Sequence, residues 1–320
     1  MDETDEAIVA LLEVDGRLTH REIARAVGLS RSAAAARVQR LISSGQVIIR
    51  GAVHPAVLGR GALAHVSLAL AGPATPVAQH VAQRADVPFL SLTSGTHAMV
   101  AEVRAPSVRH IDRSVADLRG LDGVVGVDTL TYVEVVRDVV GPVGDVRTEI
   151  DGTDRALLRA LQEDGRASFV NLATVVGLSA AGARRRVLRL IDEQVVRIGA
   201  VVRHSGRDRQ VAMGLGIRLA GAEDSALDAL AAMPAAIFVA RTLGRYDVLA
   251  TIRAFSNSQL VEALDAVRGL AGVGAVDSWA HLAVVKESYA AGFEGPELGN
   301  RPRDDAGRHT VSSDAGGSSQ

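Results

Sequence analysis

Ala7, Ile8, Leu11 and Leu12 fall on one side of a helical wheel, the recurrence that marks an amphipathic helix. Thr4 and Asp5 offer capping oxygens at its start, and the DGR run at Asp15–Arg17 ends it. Thr19–Val27 repeats the pattern with Ile23, Ala24 and Val27 inward, and Thr19 with Glu22 forms a capping-box signature. After a short glycine turn, Ser30 caps a third helix predicted to run to about Ser43, with Ala33, Ala34, Val38 and Leu41 facing in. Three short helices, the last two joined by a tight turn, describe a helix-turn-helix. The following VIIRGAVHP reads as a strand leading out of the bundle.

The same phrase recurs. GLSRSAAAARVQRL (Gly28–Leu41) returns as GLSAAGARRRVLRL (Gly177–Leu190), and the displacement of 149 residues also carries Asp5 to Asp154, Asp15–Arg17 to Asp164–Arg166, Gly95 to Gly244 and Asp128 to Asp277. A repeat of about 140 residues is too long for a solenoid unit and fits a domain or a domain pair. The rest of each copy changes period. Ala62–Leu70 and Val211–Leu219 read as strands, and Pro76–Ala85 and Asp224–Met233 as helices. Phe89–Arg104 and Phe238–Arg253 read as two strands joined at a glycine. Helices follow at Ser107–Leu118 and Ser256–Val267, with final strands at Val124–Val136 and Val273–Val285.

The order βαββαβ is that of a ferredoxin-like sandwich. The fold class is therefore α+β: winged-type helix-turn-helix domains (1–55 and 150–202) plus sandwich domains (60–140 and 208–290), the pair duplicated. A sandwich sheet has one helix-covered face. The other needs a partner, most simply its own kind, so sheet-to-sheet pairing is expected within a chain or between chains. Gly141–Glu149 reads as a turn-like linker, and 295–320 as a disordered tail poor in apolar residues.

Composition narrows the classes. Of the 320 residues, 48% are hydrophobic, enough for several cores, but only 3% are aromatic, so Leu, Val, Ile and Ala must build them. The chain has no cysteine, which excludes disulfides and thiolate metal sites. Its acidic start lacks a signal-peptide pattern, and no apolar run approaches the roughly 20 residues of a membrane span. A cytoplasmic protein is expected. The formal net charge of −2 makes any nucleic-acid affinity a local matter.

The third helices supply that local charge. Arg31, Arg37, Arg40 and Arg50 lie between Ser30 and Arg50 with no acid, a net +4. Between Ser179 and Arg203, six arginines (Arg184, Arg185, Arg186, Arg189, Arg197 and Arg203) face Asp192 and Glu193, again +4. Guanidinium groups suit phosphate oxygens and guanine edges, and a helix start favours an anion. Ser30, Arg31, Ser32, Arg37, Arg40 and Ser179, Arg184, Arg185, Arg186, Arg189 are the candidate contacts to double-stranded DNA, with small residues such as Ala35, Ala181 and Gly182 permitting close approach. The two helices differ outwardly, which implies an imperfect palindrome with half-sites about 34 Å apart or a multiple of that.

A helix-turn-helix of the form D…DGR…A…GLS…R…L, a connecting strand and a βαββαβ domain with a G-x-Y-D turn together resemble the leucine-responsive/AsnC (feast/famine) transcription regulators. The resemblance covers Met1–Val136 and Ile150–Val285. It implies DNA binding by the third helix, sensing of a small-molecule effector, usually an amino acid or related metabolite, and assembly as homo-oligomers. Here one chain would already be an intrachain pseudo-dimer. The resemblance also places the effector beside the G-x-Y-D turn. The second copy keeps GRYD at Gly244–Asp247, where the first has GTHA at Gly95–Ala98. Gly244, Tyr246 and Asp247 are therefore the expected effector site, the carboxylate holding an ammonium and the phenol donating a hydrogen bond.

An enzyme is the rival class, because haem-pathway decarboxylases of the siroheme decarboxylase type share this architecture. Its candidates, His97, His110, Arg241, Arg245 and His281, are scattered. There is no H-x-x-x-H pair, P-loop or G-x-S-x-G elbow. The expectation is a protein that is not an enzyme, with no catalytic residue, metal or cofactor.

Overall fold

A computed structural model describes residues 2–202, 211–221 and 225–288; the expected tail at 295–320 lies outside them. The first helix-turn-helix comprises α1 (Glu3–Val14), α2 (His20–Ala26) and α3 (Arg31–Ser43), followed by β1 (Val47–Val53) and a 3-10 turn at Pro55–Leu58. Its sandwich follows as β2 (Ala62–Leu70), α4 (Ala74–Ala82), β3 (Phe89–Thr93), β4 (Met99–Ala105), α5 (Val108–Arg119) and β5 (Val124–Asp138). The second copy repeats the order: α6 (Gly152–Glu163), α7 (Phe169–Val176), α8 (Ala180–Asp192), β6 (Val196–Val202), β7 (Val211–Leu219), α9 (Ser225–Ala232), β8 (Ala236–Leu243), β9 (Val248–Ala254), α10 (Asn257–Arg268) and β10 (Val273–Glu287).

The caps are those the residue types require. Asp2, Thr19, Ser30, Asp151, Ser168 and Ser179 each accept a backbone N–H three residues on. Helix α4 begins at Ala74, two residues before the predicted Pro76. Pro73 precedes it and Pro76 sits in its first turn, where a missing N–H costs nothing.

The two copies are built through each other. Strand β1 does not simply leave its bundle; it pairs antiparallel with β6, from Val47 opposite Val202 to Val53 opposite Val196. The helices cross over this ribbon, α1 packing on β6 and α6 on β1. Gly199 permits that approach: a Cβ there would lie 2.9 Å from the Glu13 carbonyl oxygen. One apolar cluster joins both bundles, with Ile8, Leu12, Ile23 and Leu41 alongside Leu157, Leu161, Val187 and Leu190.

The repeated DGR motif lies at this junction. Gly16 N–H donates to Ile198 O and Gly165 N–H to Ile49 O. Arg17 donates to Gly165 O (2.7 Å) and Ala167 O (3.0 Å) and lies over the Phe169 ring, while Arg166 returns a bond to Leu18 O (2.9 Å). The linker is pinned as well: His54 Nε2 is 2.9 Å from Gly144 O, and Val146 and Ile150 pack on the helical core.

The sandwiches pair in the same crossed manner. Edge β5 joins β8 and edge β10 joins β3, closing eight strands into a barrel in the order β10-β3-β4-β2-β5-β8-β9-β7. Helices α4 and α5 cover one outer face over Val66, Leu68, Met99 and Ala101. Helices α9 and α10 cover the other over Leu215, Ile217, Ala250 and Ile252. The sheets thus face each other within one chain. No helix among the described residues is long and apolar enough to cross a membrane.

Candidate nucleic-acid interface and barrel cavity

Helix α3 buries Ala34, Val38 and Leu41 of its expected stripe, with Ala33 only half-buried, α8 buries Ala183, Val187 and Leu190, and each turns the opposite face to solvent. The ten candidate contacts divide into three groups. Ser30 and Ser179 use their hydroxyl oxygens as caps, accepting from Ala33 N–H (3.2 Å) and Gly182 N–H (3.1 Å); Ser32 lies 3.1 Å from Ser30.

Arg37, Arg40, Arg186 and Arg189 are tied inward. Arg37 Nη1 donates to Asp2 (2.7 Å) and Asp5 (2.8 Å), and Arg40 Nη2 to Asp5 (2.7 Å). The second copy repeats this, Arg186 reaching Asp151 (2.7 Å) and Asp154 (2.9 Å), and Arg189 reaching Asp154 (2.6 Å). These carboxylates are the N-cap and N3 residues of α1 and α6, where the helix dipole also favours them. Hydrogen bonding from Arg37 and from Asp5 N–H holds the Asp2 carboxyl below its ordinary range.

Arg31, Arg184 and Arg185 form the third group, exposed and without an ion pair among the described residues. The +4 read from each sequence window is therefore smaller in space, because acids from the first helix of each copy fold against it. The sequence reading missed Arg21 and Arg25, both exposed on α2. Their counterparts are Val170 and Thr174, so the first copy carries cations on both helices of its motif and the second concentrates them on α8.

The expected effector turn is folded on itself. Tyr246 is 5% exposed, packs against Gly216 and donates its hydroxyl to Asp277 (2.7 Å). Burial, then this bond, raises its pKa to about 12. Asp247 is exposed and accepts Leu219 N–H (2.8 Å), and neighbouring Arg245 pairs with Asp128 (2.7 Å). None of Gly244, Tyr246 and Asp247 lines the cavity enclosed by the barrel strands.

That cavity, of about 540 Å³, lies inside the barrel and reaches the helical layer at Glu13, Ala200 and Val201. Strand alternation puts His65, Phe89, Glu102, Tyr132, Phe238, Thr251, Trp279 and His281 on its walls. His65 pairs across the ladder with Glu102, as does Phe89. The copies differ here: His65 corresponds to Gly214, Glu102 to Thr251, Leu130 to Trp279 and Tyr132 to His281. Gly214 makes room for the indole, since a Cβ there would fall 2.2 Å from Trp279 Nε1.

Burial pushes the His281 imidazole down to about 4, and burial with nearby His281, Arg245 and His97 pushes His65 to about 3. Both are neutral at pH 7. Burial raises the Glu102 carboxyl despite its bond from Arg104 Nε. Of the rival-class residues, only His281 lines this cavity; His97, His110, Arg241 and Arg245 do not.

An AsnC-type helix-turn-helix domain model matches residues 1–42 and 150–191. The HTH-type transcriptional regulator FL11 of Pyrococcus furiosus is 26% identical over 140 residues, 43% of this chain and 93% of the relative. Both copies of the repeat thus open with an AsnC-type helix-turn-helix domain. The leucine-responsive regulatory protein of Rhizobium meliloti is 48% identical over 52 residues, 16% of this chain and 33% of that protein. Among solved structures, the siroheme decarboxylase NirDL in complex with an iron-uroporphyrin III analogue matches with a TM-score of 0.58 at 14% identity, covering 89% of this chain and 93% of that one. This match overturns the expectation of a non-enzyme. The fold that matches nearly the whole of this chain is that of NirDL, so it is a fold that an enzyme also uses.

Proposed function

We propose that this chain is a tandemly duplicated Lrp/AsnC regulator, cytoplasmic and DNA-binding, that responds to a small metabolite. One observation carries it: two capped third helices, each presenting exposed guanidinium groups, are held in one unit by the β1–β6 ribbon and the exchanged DGR contacts. Arg31, Arg184 and Arg185 are the direct phosphate or base contacts, whereas Arg37, Arg40, Arg186 and Arg189 set the helices' pose. An amino-acid effector would approach the Gly244–Asp247 turn from outside the barrel, its ammonium meeting the exposed Asp247.

Selection of bound fragments from genomic DNA, followed by anisotropy titrations over a range of salt, tests the reading. Arg185→Ala should lower affinity and reduce the slope of log K against log salt by about 0.9, one phosphate contact. Arg186→Ala should lower the melting temperature instead. No enrichment of any fragment, or a slope unmoved in both Arg184→Ala and Arg185→Ala, would refute it.

The NirDL match favours a second reading, an enzyme whose chemistry lies inside the barrel. Incubation with siroheme and mass spectrometry for loss of carbon dioxide tests that reading.

A further inference from the structure

Three buried polar atoms on side chains that line the barrel cavity have no hydrogen-bond partner among the described residues: Trp279 Nε1, which lies over Gly214, and both ring nitrogens of His281. Leaving such groups unpaired is costly, so they are an edge awaiting a ligand. A neutral imidazole has one donor and one acceptor, and the indole adds a donor. The edge therefore asks for an acceptor beside a donor. Around it stand aromatic rings as well as charged side chains. Phe89 stands edge-on to His281 at 6.0 Å, and Tyr132 lies 5.6 Å from Phe238.

The charges of the lining are already engaged. Arg253 holds Glu13 at 3.0 Å, and Arg104 holds Glu102. A carboxylate would meet no uncommitted guanidinium here, and it would face Glu13, Glu102, Asp138 and Glu287. An ammonium would find Glu13 and Glu102 already paired with Arg253 and Arg104, and at the orphaned edge two donors against one acceptor.

We infer that the barrel cavity binds one uncharged planar heteroaromatic molecule whose edge carries a carbonyl acceptor next to an N–H donor. One molecule binds per chain, because the opposite half has Leu130 and Tyr132 where this half has Trp279 and His281. The site is distinct from the Gly244–Asp247 turn and does not depend on DNA binding.

Trp279 is the single tryptophan of the chain, so its indole N–H gives one resonance to follow in a nitrogen–proton correlation spectrum. Hypoxanthine and 2-quinolinone should shift it saturably, with calorimetry giving one molecule per chain. His281→Phe should bind about tenfold more weakly, the loss of a hydrogen bond. His281→Gln, which keeps a donor and an acceptor, should stay within a few-fold of wild type and guards against a folding defect in the first variant. An indole resonance unmoved by both compounds at millimolar concentration would overturn the proposal. So would tighter binding of indole-3-acetate, L-phenylalanine or uroporphyrin III, or wild-type affinity in a folded His281→Phe.

Discussion

Acid should weaken this fold well before its carboxylates protonate, and His281 offers a clean way to measure it. The imidazole is buried against Phe89, and burial holds its pKa near 4 against 6.5 in the unfolded chain. A histidine with a depressed folded pKa costs nothing above 6.5. Below that, the unfolded state binds a proton that the folded state refuses, so stability falls with pH until about 4. The slope approaches about 1.4 kcal/mol per pH unit, which integrates to about 2 kcal/mol between pH 7 and pH 5. His65, held near 3, adds a similar amount.

His281→Phe keeps an aromatic ring at this position and removes the proton site. Urea titrations followed by Trp279 emission at pH 7, 6 and 5 should show wild type losing about 2 kcal/mol more than the variant over that interval. The difference between the two proteins cancels every other titrating group except His65, whose partner charge His281 removes only in the acid range. Parallel pH dependence in both proteins would mean that His281 titrates in the folded state as it does in the unfolded chain and that its burial is wrongly described.

Other outcomes follow from the same contacts. Asp154 is 1% exposed and receives Arg186 and Arg189, so Asp154→Ala should cost about 2 kcal/mol, below the usual loss for a buried pair because both guanidiniums stay partly in water; chemical denaturation showing no loss would remove the brace. Gly214→Ala places a methyl on the Trp279 indole and should cost about 1–3 kcal/mol with a shifted emission maximum; unchanged emission would contradict the packing. Arg17→Ala removes two bonds to the second copy and should lower the melting temperature of the helical layer, read by circular dichroism, while leaving the barrel's Trp279 emission unmoved; a simultaneous loss of both signals would show that the two layers unfold as one.

Periodicity and capping chemistry are local, and they made much of this molecule legible. The stripe Ala34, Val38, Leu41, the Thr19–Glu22 box and the strand order of each sandwich follow from side chains a few residues apart. The 149-residue displacement announced the duplication and, with it, a pairing of like domains. The use of each arginine was not legible. Arg37 and Arg186 match their exposed neighbours in type and spacing, yet each closes on a carboxylate 32 residues earlier in the chain. Only the packing of the first helix against the third brings those charges together.

The repeated DGR could be seen as a helix stop, but its arginines serve the other copy, about 150 residues away. The cavity was least visible of all. His65 and Ser67 interrupt an apolar strand, and Trp279 alternates with His281, so a period-of-two reading puts each pair on one face. What lies opposite that face depends on β5 finding β8 and β10 finding β3. Hydrogen-bond ladders between distant strands have no signature in either strand alone. The chain's own order therefore determined its elements and their repetition. Closure of the barrel decided which polar groups lost water, and with it where a ligand can be held.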